Sequence, residues 1–223
     1  MLAFSIHLAC VPGTVTLNLK ALARASGDRK FEDNRADIEA GVNLLMARGA
    51  SSVVLVGQSL GTNRVLLYQA DTQDQRVGGL ILLAAPGNLL EWNIRIFGRE
   101  PVLAVLAEAR QRVQMGRGAE LMLVDLGPLG KGLYSAQHVV SLRGPETRSD
   151  PFQNIARVQV PVLILHGTAD RLADPAVAER LRAAAVATPS VRLHLIPGAD
   201  HGLPGHPDAI LPVLGPWLEA ISK

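Results

Sequence analysis

Three short runs, SSVVLVG (51–57), RVGGLILLAAP (76–86) and VPVLILHG (160–167), are apolar almost without a break. A strand with one wet face alternates apolar and polar residues, so an unbroken run implies a strand covered on both faces, as in a parallel sheet. Parallel neighbours need crossovers of a dozen or more residues, usually helical, and helical patterns stand where those crossovers are required. EDNRADIEAGVNLLMARG (32–49) sets Ile38, Val42 and Leu45 on one face and stops at Gly49, and LGTNRVLLYQA (60–70) follows the first apolar run. Asp174 and Pro175 read as the N-cap and first position of a helix over PAVAERLRAAAVA. SVRLHLIPG (190–198) alternates as a strand near the sheet edge, and TVTLNL (14–19) is a further strand. PDAILPVLGPWLEAI (207–221) closes the chain as a helix kinked at Pro216. The pattern is an α/β fold with a mostly parallel sheet and flanking helices.

Between 87 and 157 the period changes. PVLAVLAEARQRVQ (101–114) is helical, GRGAELMLVDLGPLGKG (116–132) fits neither period, and no clear buried strand occurs. This stretch reads as an insertion in a single domain, 1–223, whose core spans 12–86 and 158–223. A chain of 223 residues suits one domain, and 48% apolar with 19% charged residues makes it globular. The net charge is only +2, and no dense Lys/Arg cluster supports a nucleic-acid or membrane footprint; Arg110, Arg112 and Arg117 read as one solvated helix face. One cysteine, Cys10, allows no internal disulfide, which makes a reducing cytoplasm the default location. No apolar run approaches the ~20 residues of a membrane span, and MLAFSIHLAC lacks the basic flank and the length of a secretory signal.

The chemistry-bearing positions sit where strands end. Gly57-Gln58-Ser59-Leu60-Gly61 fits G-x-S-x-G at a strand-to-helix junction. A turn this sharp strains the serine backbone and leaves no room for neighbouring Cβ atoms, hence Gly57 and Gly61. A serine hydroxyl is a weak nucleophile that needs a base, and the base needs an orienting acid. Asp170 stands just past VPVLILHG, and His201 just past SVRLHLIPG. Plainer readings stand beside these: Ser59 as a helix N-cap, Asp170 as a turn residue, His201 as a surface histidine. Asp174, Asp125 and His206 are the rival positions for acid and base. His166 reads as packing beneath the site, and His7, His138 and His194 as structural. No metal-ligand spacing and no phosphate-binding loop occurs, so no cofactor is expected.

VVLVGQSLG, VGGLILLAAPG, VPVLILHGTADRLADP and IPGADHG together resemble the α/β-hydrolase superfamily, in the spacing of small bacterial esterase-like members. The resemblance covers roughly 12–86 and 150–222. It implies Ser59 as nucleophile, Asp170 as acid, His201 as base, and the Leu60 amide as half of an oxyanion hole. It also makes 87–157 a lid that shapes specificity, and the expected partner a small acyl substrate such as a carboxylic ester. Oligomeric state is left open.

The chain departs from the family at its start. Such enzymes place about three strands before the one assigned here to 14–19, and the third ends in a motif such as His-Gly that supplies the second oxyanion amide. MLAFSIHLACVPG resembles the tail of a helix; the alternative is a strand, LAFSIHLACV. If the third strand's place beside Ser59 stays empty, unpaired backbone groups cost ~1–3 kcal/mol each. Residues 1–11 fill that place, residues 14–19 shift into it, or the chain is an N-terminally short version of a longer protein. The last is the favoured expectation, and with it comes an alternative function: a hydrolase fold with little turnover that acts as a binding module.

Overall fold

A computed structural model describes residues 6–9, 30–125 and 131–222. Its sheet has five strands in the order β1 (Ile6–Ala9), β2 (Val53–Gln58), β3 (Val77–Leu83), β6 (Val162–Gly167), β7 (Val191–Ile196). The last four are mutually parallel, as the apolar runs require, and β1 alone is antiparallel. Helix α1 (Asn34–Ala47) precedes β2, α2 (Leu60–Thr72) joins β2 to β3, α7 (Ala176–Ala184) joins β6 to β7, and α8 (Pro207–Ile221) closes the chain. α8 runs without interruption through both Pro212 and Pro216.

Alternation along the strands divides the core in two. Val53 and Leu55, Leu80 and Leu82, and Val162 and Ile164 face one side, where α1, α2 and α7 supply Ile38, Val42, Val65, Leu66, Val177 and Leu181. Val54, Ile81, Leu163 and Leu165 face the other, under Val213 and Trp217 of α8. Both faces are dry, so the sequence shows runs rather than alternation.

The segment 84–161 leaves the sheet after β3 and returns at β6. It holds α3 (Leu89–Phe97), α4 (Arg99–Gln114), α5 (Ala136–Arg143) and α6 (Pro151–Ile155). It also holds an antiparallel pair that sequence periodicity missed, β4 (Leu121–Asp125) with β5 (Lys131–Ser135). Met122 and Val124 turn inward, while Leu121, Leu123 and Leu133 are more than half exposed. Apolar residues on the wet face erase the alternation by which such a strand is recognised.

At the N-terminus the strand alternative holds for Ile6–Ala9, not the helix tail. Ile6 pairs with Gly57 and Ala9 with Val54, so these residues occupy the place beside the strand that leads to Ser59. The expected strand TVTLNL lies outside the described residues. Among the described residues no helix is long and apolar enough to cross a membrane.

Candidate active site

β2 ends at Gln58 and α2 begins at Leu60, leaving Ser59 alone to turn the chain. Its φ of 52° and ψ of −126° lie in a region L-residues rarely adopt. A Cβ on Gly57 would come within 2.5 Å of the Gly61 carbonyl oxygen, which makes the first glycine a steric necessity. The N-cap reading of Ser59 fails on the hydrogen bonds: its side chain makes no capping bond among the described residues. Thr62 holds the turn instead, with both its amide (2.9 Å) and its hydroxyl (2.7 Å) donating to the Ser59 carbonyl. Leu60 is the first residue of α2, and amides of a first turn have no acceptor within the helix.

Asn63, fully buried on α2, donates from Nδ2 to the carbonyls of Gly87 (3.0 Å) and Ser149 (2.9 Å). One side chain thus ties the turn's helix to both ends of the segment that leaves the sheet.

Asp170 lies three residues past β6 and His201 five past β7, at the same sheet edge as Ser59 because β2, β6 and β7 are parallel. The two loops are zipped together. Ala169 N–H donates to the Ala199 carbonyl at 2.9 Å, and Gly198 N–H to Thr168 Oγ1 at 2.9 Å. A side chain on Gly167 would collide with the Ala199 carbonyl oxygen. His201 Nδ1 stands 2.8 Å from Asp170 Oδ2. The carboxylate only accepts, so Nδ1 carries the proton and Nε2 keeps its lone pair, the tautomer a base requires.

Asp170 Oδ1 accepts from the amides of Leu172 (2.9 Å) and Ala173 (2.8 Å). Sequence reading set His166 beneath the site; its Nε2 stands 3.4 Å from Asp170 Oδ2 and 3.2 Å from the Ala173 carbonyl, and the residue is fully buried. A histidine closing a strand four residues before an acid was the signal for that contact. Burial opposes ionisation of Asp170, but the His166 and His201 rings and the Ala173 amide outweigh it and hold the carboxyl well below the usual carboxylate range.

The rivals stand elsewhere. Asp174 caps the approach to α7, accepting from Ala176 N–H at 2.9 Å, and is exposed. Asp125 is exposed at the end of β4. His206 occupies the N-cap position of α8, and His138 stacks on Tyr134 with centroids 5.3 Å apart. α3 reaches the acid loop: Trp92 Nε1 donates to the Leu172 carbonyl at 2.7 Å, and Trp92 meets Phe97 edge-on.

A model of the alpha/beta hydrolase family matches residues 13–213. Curated proteins give no match. Among solved structures, Est1E from Butyrivibrio proteoclasticus is 18% identical, with 88% of this chain and 73% of that one covered at a TM-score of 0.59. The monoacylglycerol lipase of Paleococcus ferrophilus is 20% identical, covering 87% and 77%, at 0.54. A bromoperoxidase from Bacillus anthracis is 16% identical, covering 87% and 75%, at 0.52. Identities this low speak to the fold.

Proposed function

The chain belongs to the alpha/beta hydrolase family, and on that premise we propose that it is a serine hydrolase acting on a carboxylic ester or related acyl bond of a small molecule. The observation that carries this reading is the 2.8 Å contact of His201 Nδ1 with a buried, ionised Asp170, at the sheet edge where Ser59 sits in a strained turn. Ser59 Oγ attacks the acyl carbonyl while His201 Nε2 takes its proton. Asp170 stabilises the imidazolium, and the Leu60 amide faces the developing oxyanion. His201 then protonates the leaving group, activates water against the acyl-enzyme, and returns the proton to Ser59. An active-site-directed fluorophosphonate labels Ser59 on this reading, and undiminished labelling of a Ser59→Ala protein refutes it.

A second reading, the same fold with weak turnover, is favoured by the direction of β1. In the family the strand beside the nucleophile strand is parallel, and its C-terminal end supplies the second oxyanion amide. Here Ile6–Ala9 is antiparallel, so its C-terminal end lies at the opposite sheet edge from Ser59. Losing one oxyanion donor costs ~10²–10³ in kcat. Labelling of Ser59 together with ester hydrolysis slower by that factor than the labelling reactivity implies would select this second reading.

A further inference from the structure

Apart from Ser59, Asp170 and His201, the segment between β3 and β6 forms a half-open cavity of about 280 Å³ among α3, α4, β4 and α5. Val102, Val105, Leu106 and Val139 give it apolar walls. Three polar side chains break them, Asn93, Asp125 and Arg143, and Asn93 and Arg143 are not fully satisfied. Arg143 buries Nε and Nη1 with no hydrogen-bond partner among the described residues, and Asn93, 4% exposed, leaves Oδ1 in the same state. Native interiors rarely leave such groups unpaired. A guanidinium is the hardest case, since it cannot shed its proton to escape burial. Burial does pull its pKa down, to about 10, so the group stays cationic at neutral pH. A cation beside a largely apolar cavity, with two of its nitrogens buried and unpaired, favours an anion there.

We propose that this cavity is a binding site for a small apolar carboxylate, its carboxylate meeting the guanidinium of Arg143 and its alkyl chain lying against Val102, Val105, Leu106 and Val139. A planar guanidinium presents paired N–H donors that match the two oxygens of a carboxylate. Asn93 carries both a donor pair and an acceptor, so its amide meets the carboxylate or a hydroxyl on the ligand. At ~30 Å³ per water-sized group the cavity admits about nine, the size of a six- or seven-carbon acid. Asp125 also borders the cavity, but it is exposed and its charge is screened by water. The proposal does not rest on the role of Ser59.

The test is calorimetric titration of the Ser59→Ala protein, so that turnover plays no part, with hexanoate and with hexanol. Hexanoate is expected to bind at least about tenfold more tightly than hexanol, the minimum for a desolvated charge-assisted pair. Arg143→Gln is expected to remove that advantage and leave hexanol binding unchanged. Val105→Trp, which fills the apolar end, is expected to abolish both. Equal binding of acid and alcohol, undiminished hexanoate binding in either variant, or no saturable heat with hexanoate at millimolar concentration overturns the proposal. Should Arg143→Gln not fold, the acid–alcohol comparison and Val105→Trp decide it.

Discussion

Asp170, in the loop after β6, and Arg143, beside the cavity between α3 and α5, are both charged groups with buried atoms, and the fold treats them in opposite ways, although His166 beside Asp170 also leaves Nδ1 unpaired among the described residues. In the loops, Asp170 accepts two backbone amides on one oxygen and faces two imidazoles on the other. In the cavity, Arg143 and Asn93 leave buried atoms unpaired among the described residues. Satisfied networks fix a geometry, because every alternative arrangement breaks a bond. Unsatisfied ones leave a geometry waiting for a partner. The first holds its own residues in place; the second is built to hold something else.

The largest effect expected from breaking this contrast concerns what the satisfied loops serve. Ser59→Ala should lower kcat/KM on a p-nitrophenyl ester by ~10⁴–10⁶ without moving the thermal midpoint. Activity within tenfold of the parent would detach the loops from catalysis. Asp170→Asn should cost ~10³–10⁴ in kcat, since the amide no longer selects the tautomer of His201. It should also lower stability, because Leu172 and Ala173 lose a charged acceptor. Gly167→Ala, which drives a Cβ into the Ala199 carbonyl, should cost about 2–4 kcal/mol in urea unfolding and disturb the acid–base contact with it.

In the cavity the sign should reverse. Arg143→Met removes an unpaired buried charge and should leave stability unchanged or raise it by about 1 kcal/mol. Loss of stability there would mean that Arg143 belongs to the satisfied class after all. The smallest effect is in acid. The folded pKa of Asp170 lies below its unfolded value, so its contribution to stability is complete above about pH 4 and fades as pH falls through the folded pKa. Urea midpoints should show that acid loss in the parent and less of it in Asp170→Asn.

How far the sequence revealed these regions follows the same division. β2, β3 and β6 were legible because strands dry on both faces have no polar residue to interrupt the run; the positions of Ser59 and Asp170 stood out because each follows such a strand, and that of His201 because it follows the alternating edge strand β7. α1 and α7 matched their patterns through single apolar faces, α1 closing at Gly49, whereas α7 starts at Ala176 with Pro175 as its N-cap, one residue later than expected, and Asp174 accepts from the Ala176 amide. The pair β4–β5 was hidden by the exposed leucines Leu121, Leu123 and Leu133, and β1, four residues long, stood only as the alternative to a helix tail. Asn93 and Arg143 stand fifty residues apart on separate helices, and no local pattern joins them. Only packing does.

Asn63 has a last consequence, for redesign. It clamps the exit at Gly87 and the re-entry at Ser149 to one point on α2, while the stretch between is held further by Trp92 on the Leu172 carbonyl and by Ser141 on the Phe31 amide. Doubling the length of a flexible connection adds only ~0.6 kcal/mol of closure entropy. The stretch between those two carbonyls is therefore the module to exchange, lengthen or graft, with the register of β3 and β6 and the turn at Ser59 left as they are.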